Sequence, residues 1–355
     1  MNVITNELTK SPIFNLSLCS LENFHTSFIT WVGNEYPKEF ITIFSNKDYS
    51  KADSIQFKTQ VNCGQSIKLD LQIVINNGQT TEYIIVENKL KSFPTDEQLN
   101  KYTDYFKNEK ASFILLSLAP KFDLPNQWSY ISYDLLAKKM NALFNDNFHY
   151  KEQYHKFIIE DYINVIKNLS EKFPKEITLK YDFYEERKLD ELQDIYIKYR
   201  TSEFKDYICK NSSSCNVFCD TDFSNKQGIV NIWWKSLDEF DIPIKILIQI
   251  QKTQYRYCMV FNCNISKDLQ EKIANDLYIN GYWFMHTTPT ARGKIYKEFC
   301  GYNPNFIYRY MNIDDGFGKK LGDVTYKEFS EQIQKDILAL ENNKDKIAEI
   351  LTKWL

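Results

Sequence analysis

IKLDLQIVINNGQTTEYIIVENKLKSFPTDEQLNKY, residues 67–102, is the stretch that decides how this chain is read. Isoleucine, leucine and valine take every second place from Ile67 to Ile75, so Lys68, Asp70 and Gln72 share one face of a strand. Asn77-Gly78 favours the positive backbone angles that reverse a chain, and the apolar run resumes at Tyr83, which predicts a hairpin. The second strand, Tyr83 to Lys89, stays apolar until Glu87, Asn88 and Lys89, so its charges lie at its end. Glu87 and Lys89 are two residues apart and point the same way.

An aspartate on one strand beside a Glu-x-Lys triplet at the end of its neighbour brings hard oxygen ligands and a cation together. Carboxylate oxygens suit Mg²⁺ or Mn²⁺, ions that keep several waters for chemistry. A protonated Lys89 does not ligate; beside such an ion it stabilises charge growing on a phosphate or positions an attacking water. Taken alone, a strand that ends in charges is ordinarily just emerging into solvent, so the triplet has to be read with its surroundings. After Pro94, Thr95 is placed to cap a helix with Asp96 and Glu97 in its first turn, and Gln98 and Tyr102 share one face at four-residue spacing. The apolar run from Ser112 to Leu118 has the length of a buried strand.

Strand, hairpin strand, helix and strand, with the charges clustered at one edge, resembles the PD-(D/E)XK nuclease superfamily. The resemblance puts that family's motif on Asp70, Glu87 and Lys89, and Gln98-x-x-x-Tyr102 looks like the helix motif of its RecB-type branches. Leu69 stands where the proline that names the family would stand, and Glu87-Asn88-Lys89 is similar to the third motif of a group of bacterial members. Residues 17–33 are expected to form the first helix, capped by Ser20, striped by Leu21, Phe24, Phe28, Trp31 and Val32, and ended by Gly33. Glu22 and His25 sit three apart on it, which by itself describes a solvated helix edge. Within the family, Glu22-x-x-His25-Thr26-x-Phe28-Ile29-x-Trp31 is similar to a first-helix signature whose glutamate reaches the metal.

The resemblance spans about residues 16–145 and implies a restriction-endonuclease-like α/β core, a mixed central sheet flanked by helices. It implies a Mg²⁺ or Mn²⁺ ion held by Asp70 and Glu87, helped by Glu22 and the backbone carbonyl of Asn88. It also implies catalytic work for Asp70, Glu87 and Lys89, with Gln98 and Tyr102 orienting substrate or Lys89, and His25 as a partner behind the ligands.

The 355 residues are enough for two domains at about 150 residues each, and hydrophobic residues at 43% allow substantial cores. A net charge of −3 excludes a globally basic DNA-gripping surface, so nucleic-acid binding rests on a local patch or on bound metal. The start of the chain lacks a secretory signal, and no apolar run approaches the roughly 18 residues that span a bilayer, so a cytoplasmic protein without a membrane partner is expected. The eight cysteines follow no paired pattern and read as free thiols. Cys209, Cys215 and Cys219 lack a C-x-x-C pair and a nearby histidine, which argues against structural zinc.

Residues 38–50 are expected to continue as helix, Ile55 to Val61 to be a strand, and a strand near 130–133 with helices over 134–144 and 152–169 to complete a first domain, 1–172. Pro174 interrupts two helical stretches and marks the boundary to a second α+β domain, 173–355, with an antiparallel sheet and a substrate- or partner-binding role. There a helix over 184–208 mixes Arg187, Lys188, Lys198, Arg200 and Lys205 with acids, the pattern of a solvated face. The runs Ile229–Trp234, Ile244–Ile250 and Tyr255–Phe261 predict a meander, followed by a helix over 266–279, a strand over 282–286 and one C-terminal helix over 326–354. Two glycine-containing basic loops, 287–294 and 316–322, lack P-loop spacing. Ordinary turns are their simplest reading, and Arg292, Lys294, Lys319 and Lys320 are the candidates there for contact with a nucleic-acid backbone.

The leading expectation is a Mg²⁺-dependent nuclease acting on nucleic acid, DNA in preference to RNA. A catalytically silent module that binds nucleic acid or a protein stands as the alternative, and the acidic balance keeps open a domain with no nucleic-acid role. Restriction, repair and phage defence are all compatible settings by analogy of fold. A homodimer is equally compatible.

Overall fold

Strands β2 (Ile67–Asn77) and β3 (Thr80–Lys89) pair antiparallel from Asn77↔Thr80 to Leu71↔Val86, so Gly78 and Gln79 make the whole turn. Gly78 takes φ 67°, a conformation open to glycine without strain. In this computed structural model the described residues are 8, 10–17, 21–64, 67–90, 94, 96–118, 124–173, 178–184, 192–212, 215–224, 227–284, 300–303 and 305–354. The chain divides into two units, Met1–Ile177 and Thr178–Leu355.

In the first unit β1 (Ser54–Gly64), β4 (Lys110–Ser117) and β5 (Trp128–Ser132) extend the hairpin into a five-stranded sheet of order β1-β2-β3-β4-β5. The β1–β2 and β2–β3 pairs are antiparallel, and β3–β4 and β4–β5 are parallel, so the sheet is mixed. Helices α1 (Pro12–Ser17), α2 (Leu21–Glu35), the short α3 (Pro37–Phe40), α4 (Asp96–Tyr105), α5 (Tyr133–Leu143) and α6 (Gln153–Lys172) accompany it. Ser132 caps α5 by accepting the Leu135 amide, which fixes the strand-to-helix turn. The α4 crossover carries the chain from β3 to the parallel β4. One apolar cluster holds α4 on the sheet: Leu99, Tyr102 and Phe106 pack with Leu69, Ile85 and Leu115. Each such side chain contributes about 1.5–3 kcal/mol by leaving water, so the placement of Gln98 and Tyr102 over the ends of β2 and β3 is firmly held.

Helix α2 buries His25, Phe28, Ile29 and Val32, a set at i, i+3, i+4 and i+7 that lies one step round from the expected stripe. Phe24 and Trp31 are only half-buried. Gly33 does not end the helix, which runs on to Glu35. A Cβ at Gly33 would stand 2.4 Å from the ring of Phe57 on β1, so the missing side chain is what lets helix and strand close together. Gly33→Ala gains about 1 kcal/mol of helix propensity and incurs about 1–3 kcal/mol of overpacking. A net loss of stability in urea unfolding is therefore expected, and a gain would contradict this account of the contact.

Residues 38–50 do not continue as helix: α3 passes into a single 3-10 turn, Ile41–Ile43, and the chain then leaves helical geometry. The apolar residues Phe40, Ile41, Ile43 and Phe44 are buried as their character requires. The β-branched Ile-Thr-Ile run and the following Ser-Asn-Lys-Asp favour turn over helix.

The second unit is built on a six-stranded sheet of order β10-β11-β9-β8-β7-β6, antiparallel throughout. Its strands are β6 (Val217–Ser224), β7 (Gln227–Trp234), β8 (Ile244–Gln251), β9 (Gln254–Phe261), β10 (Cys300–Asn303) and β11 (Phe306–Asn312). The expected meander is β7–β9, and β6, β10 and β11 are additions to it. Residues 282–284 form no strand, and His286 lies outside the described residues. Helices α7 (Leu192–Asn211), α8 (Lys267–Ile279), α9 (Ile313–Phe317), α10 (Tyr326–Glu341) and α11 (Lys344–Lys353) complete the unit. The single C-terminal helix is divided at Asn342-Asn343, where the Asn343 side chain bonds back to the Ala339 carbonyl at 2.8 Å and the backbone leaves helical angles. Cross-strand partners share a face, so Trp234, Ile246, Met259 and Ile307 form one row. That face lies toward the helices: Trp234 donates to Glu341 of α10 at 2.7 Å, and Tyr255 and Tyr257 donate to Asp336 of α10.

Arg200, expected on a solvated face, is fully buried. Its guanidinium pairs with Glu203 at 2.8 Å and Asp182 at 2.9 Å and donates to the Lys180 carbonyl, to Thr178 and to the Tyr196 and Tyr326 hydroxyls. The reason is that α7 buries residues around more than one side, Ile195, Tyr196, Tyr199, Phe204 and Ile208 among them, so it has no wide solvated stripe. Among the described residues no helix is long and apolar enough to cross a membrane.

Candidate active site

The β2–β3 ladder stops at Leu71↔Val86. Beyond it the Asp70 carboxylate fills the opening, its Oδ2 accepting the Asn88 amide at 2.9 Å. Glu87, next to Asn88 on β3, is 1% exposed, and its Oε1 is held by the Lys89 ammonium at 2.7 Å and by the Gln98 side-chain amide at 2.6 Å. Glu87 Oε2 is buried with no hydrogen-bond partner among the described residues. Gln98 also donates to the Tyr102 hydroxyl at 3.1 Å, and that hydroxyl donates to the Lys68 carbonyl at 3.0 Å. Gln98 and Tyr102 thus grip Glu87 and the backbone of β2.

Burial raises the pKa of Asp70, and the Asn88 amide and the Lys89 charge only partly offset it. Burial, together with the repulsion of Asp70 and against the pull of Lys89, pushes Glu87 up to about 7. Burial works against the Lys89 charge as well, but Glu87, Glu22 and Asp70 together hold its pKa above the ordinary lysine value. Two carboxylates therefore share a dry site with one cation, and a second positive charge would relieve both.

Helix α2 brings Glu22 to the same place, its Oε1 accepting the Leu90 amide at 3.2 Å, and both Asp70 and Lys89 feel its charge. Asn88 is a buried brace: its side chain donates to the Glu22 carbonyl and to Thr26 at 3.0 Å each and accepts the Tyr133 hydroxyl at 2.7 Å. One residue thereby joins β3 to α2 and α5. His25 faces inward instead of standing on a solvated edge: it is fully buried, with Nδ1 3.1 Å from the Tyr162 hydroxyl of α6.

Two residues not singled out from the sequence belong here. Gln60, opposite Asp70 in the β1–β2 register, takes φ 54°, strained for a residue with a side chain. Its amide reaches Asn23 Oδ1 at 3.1 Å and Asp70 Oδ1 at 3.4 Å, tying α2 to the aspartate. A glutamine inside a strand pattern carries no signal of a left-handed turn, and Asn23 looks like any exposed helix residue. Of the loop candidates, Arg292 and Lys294 lie outside the described residues. Lys319 is paired with Glu328 at 2.5 Å, and Lys320 is exposed.

Among the described residues no three His, Cys, Asp or Glu side chains stand together as a complete metal site. What the site does offer is a pair of crowded carboxylates, one with a buried oxygen unpartnered among the described residues, with Glu22 close enough to act electrostatically on Asp70. That donor set fits a small hard divalent ion that completes its shell with carbonyl oxygen and water.

His25 gives a pH signature to the fold. Burial lowers its pKa from 6.5 to about 3, so the folded chain resists a proton that the unfolded chain accepts. Its contribution to stability is complete above pH 6.5 and is lost on acidification toward pH 3, at about 1.4 kcal/mol per pH unit. Urea unfolding at about pH 7 and about pH 5 is expected to show a shallower loss in His25→Gln than in the parent chain; equal losses would contradict the assignment.

Residues 14–164 match the family model of the PD-(D/E)XK nuclease superfamily. No curated protein and no solved structure matches the chain. The matched span contains Glu22, Asp70, Glu87, Lys89, Gln98 and Tyr102, and it lies on the mixed sheet whose splayed strand ends gather them. Most of the first unit is thus similar to the PD-(D/E)XK nuclease superfamily, over residues 14–164.

Proposed function

We propose that the first unit hydrolyses phosphodiester bonds in nucleic acid, DNA above RNA, with a Mg²⁺ or Mn²⁺ ion held by Asp70 and Glu87 and flanked by Glu22. The observation that carries this reading is the convergence of Asp70, Glu87 and Lys89 at the open end of β2–β3, with one Glu87 oxygen buried and unpartnered among the described residues. A divalent ion in that place supplies a Lewis acid for the phosphate and lowers the pKa of a bound water. Lys89 stays protonated among three carboxylates and, with its side chain 15% exposed, offers a positive charge to the phosphate as negative charge builds on it. Gln98 and Tyr102 hold Glu87 from α4, and the Asn88 amide and Gln60 hold Asp70 from either neighbouring strand. Lys89 is rigidly placed because its partner Glu87 is itself fixed, and preorganised charge of this kind needs no rearrangement during the reaction.

The test is incubation of the purified chain with supercoiled plasmid, linear duplex and single strands in Mg²⁺, Mn²⁺ or EDTA. Cleavage in the presence of either ion and none in EDTA is the expected result. Calorimetric binding of Mn²⁺ with every substrate left intact would instead make this a silent nuclease-fold module.

A further inference from the structure

On the second unit's sheet, the face opposite its helices carries aromatic rings and lysines together at the corner formed by β6 and β7. Phe218 of β6 and Trp233 of β7 are directly paired across the strands, and Phe218 is 50% exposed on the sheet edge. The Trp233 indole is fixed, its Nε1 donating to Asp220 Oδ2 at 3.0 Å while Asp220 Oδ1 accepts Asn231 at 2.7 Å. Both aspartate oxygens are thus engaged in holding the ring upright. Lys235 places its ammonium 5.4 Å from the centre of the Phe218 ring, and Lys245 places its own 6.0 Å from the centre of the Trp233 ring. These side chains, with Asp238 on the rim, line a cavity of about 260 Å³.

Several features of this corner point to one kind of occupant. A braced indole beside an exposed phenyl ring offers ring faces to a flat apolar group, and base on aromatic is a recurrent pairing of that kind. Lys235 follows Trp234 at the end of β7 and Lys245 precedes its partner Ile246 on β8, so the two lysines flank the last β7–β8 pair. Both lysines line the same cavity, and neither is ion-paired among the described residues, which leaves two positive charges for an anion there. The cavity is smaller than the roughly 300–1,000 Å³ of drug-sized ligand sites, which suits a single base. A base stacked inside a duplex shows only its edge, so the ring faces here are of use only to an unstacked one. From these observations we infer that the second unit binds single-stranded nucleic acid, stacking one base against Phe218 and Trp233 while Lys235 and Lys245 hold the adjoining phosphates. Asp238 at the rim is an acceptor for an exocyclic amine of the base. This site does not rest on the chemistry proposed for the first unit.

The experiment is fluorescence anisotropy of a labelled oligothymidine and of a labelled duplex with the full chain in EDTA, so that no cleavage is counted. Single strand is expected to bind at least about tenfold more tightly than duplex, and Phe218→Ala to weaken single-strand binding about tenfold. Phe218→Tyr, which keeps the ring, is expected to bind like the parent. Lys235→Gln with Lys245→Gln is expected to flatten the dependence of log affinity on log salt by about 0.7 for each lysine. Phe218 is exposed, so its loss leaves the core intact and the variant folded. Tighter binding of duplex, no binding of oligothymidine, or binding indifferent to both the Phe218→Ala and the paired lysine changes would overturn the proposal. A chain that binds in this way yet cuts nothing in Mg²⁺ would leave this site standing and remove the nuclease reading; one that cuts while its binding ignores Phe218 would do the reverse.

Discussion

Lys89→Ala is expected to slow cleavage about 10²–10³-fold, the scale seen when one preorganised charge-stabilising donor is removed. The fold should survive, because Lys89 lies at the end of β3, whereas Asn88 beside it carries the buried bracing bonds. The chemical cause is twofold. The phosphate loses a nearby cation, and Glu87, still 1% exposed and now without its 2.7 Å partner, is driven further toward its neutral form and becomes a poorer ligand. Asp70→Asn is expected to fall at least as far, since asparagine keeps the shape but not the charge. Kinetics of plasmid cleavage beside thermal unfolding of each variant checks both. Full activity in both folded variants would remove these residues from the chemistry.

Arg200→Ala is expected to destabilise the second unit by about 3–5 kcal/mol, because it strands Glu203 and its hydroxyl neighbours in the core without a cation. Burial already raises the Glu203 pKa against the pull of Arg200, so removing the guanidinium leaves a carboxyl that has to take a proton or open the core to water. Glu203→Gln should cost less, since glutamine is still able to accept the Arg200 and Tyr326 donors that Glu203 now takes at 2.8 Å each. Urea titration of both variants, followed through the unfolding of residues 178–355, separates the cases. A loss for Arg200→Ala no larger than an exposed arginine gives, under about 1 kcal/mol, would show the network to be dispensable.

What was legible in the sequence follows from periodicity and turn chemistry. Alternation over Ile67–Ile75, Asn77-Gly78 and the charged end of β3 placed Asp70, Glu87 and Lys89 on adjacent strands, and the four-residue spacing put Gln98 and Tyr102 on one helix face. What escaped was set by partners distant in the chain. His25 belongs to the buried i, i+3, i+4, i+7 set of α2, but its nearness to Glu22 in sequence points to a solvated edge; Tyr162, 137 residues away, is what it meets. Gly33 carries the ordinary signal of a helix stop, and only the position of Phe57 shows that it serves close packing. Arg200 sits among charges in sequence and among tyrosines in space. Strand β6 reads VFCDTDFS, alternating but polar on one face, and so lacks the apolar run that marked its neighbours. The brace role of Asn88 was hidden for the same reason: its side-chain partners Glu22, Thr26 and Tyr133 are 66, 62 and 45 residues away.

The shared cation is tested most directly by diffraction from crystals soaked in Mn²⁺, with anomalous differences measured at the manganese edge. The expected result is one strong peak beside both the Asp70 and Glu87 carboxylates, with Glu87 Oε2 turned to it, and no such peak in Asp70→Asn crystals. A peak elsewhere on the chain, or none at saturating Mn²⁺ while the Glu87–Lys89 and Asp70–Asn88 contacts stay closed, would contradict it.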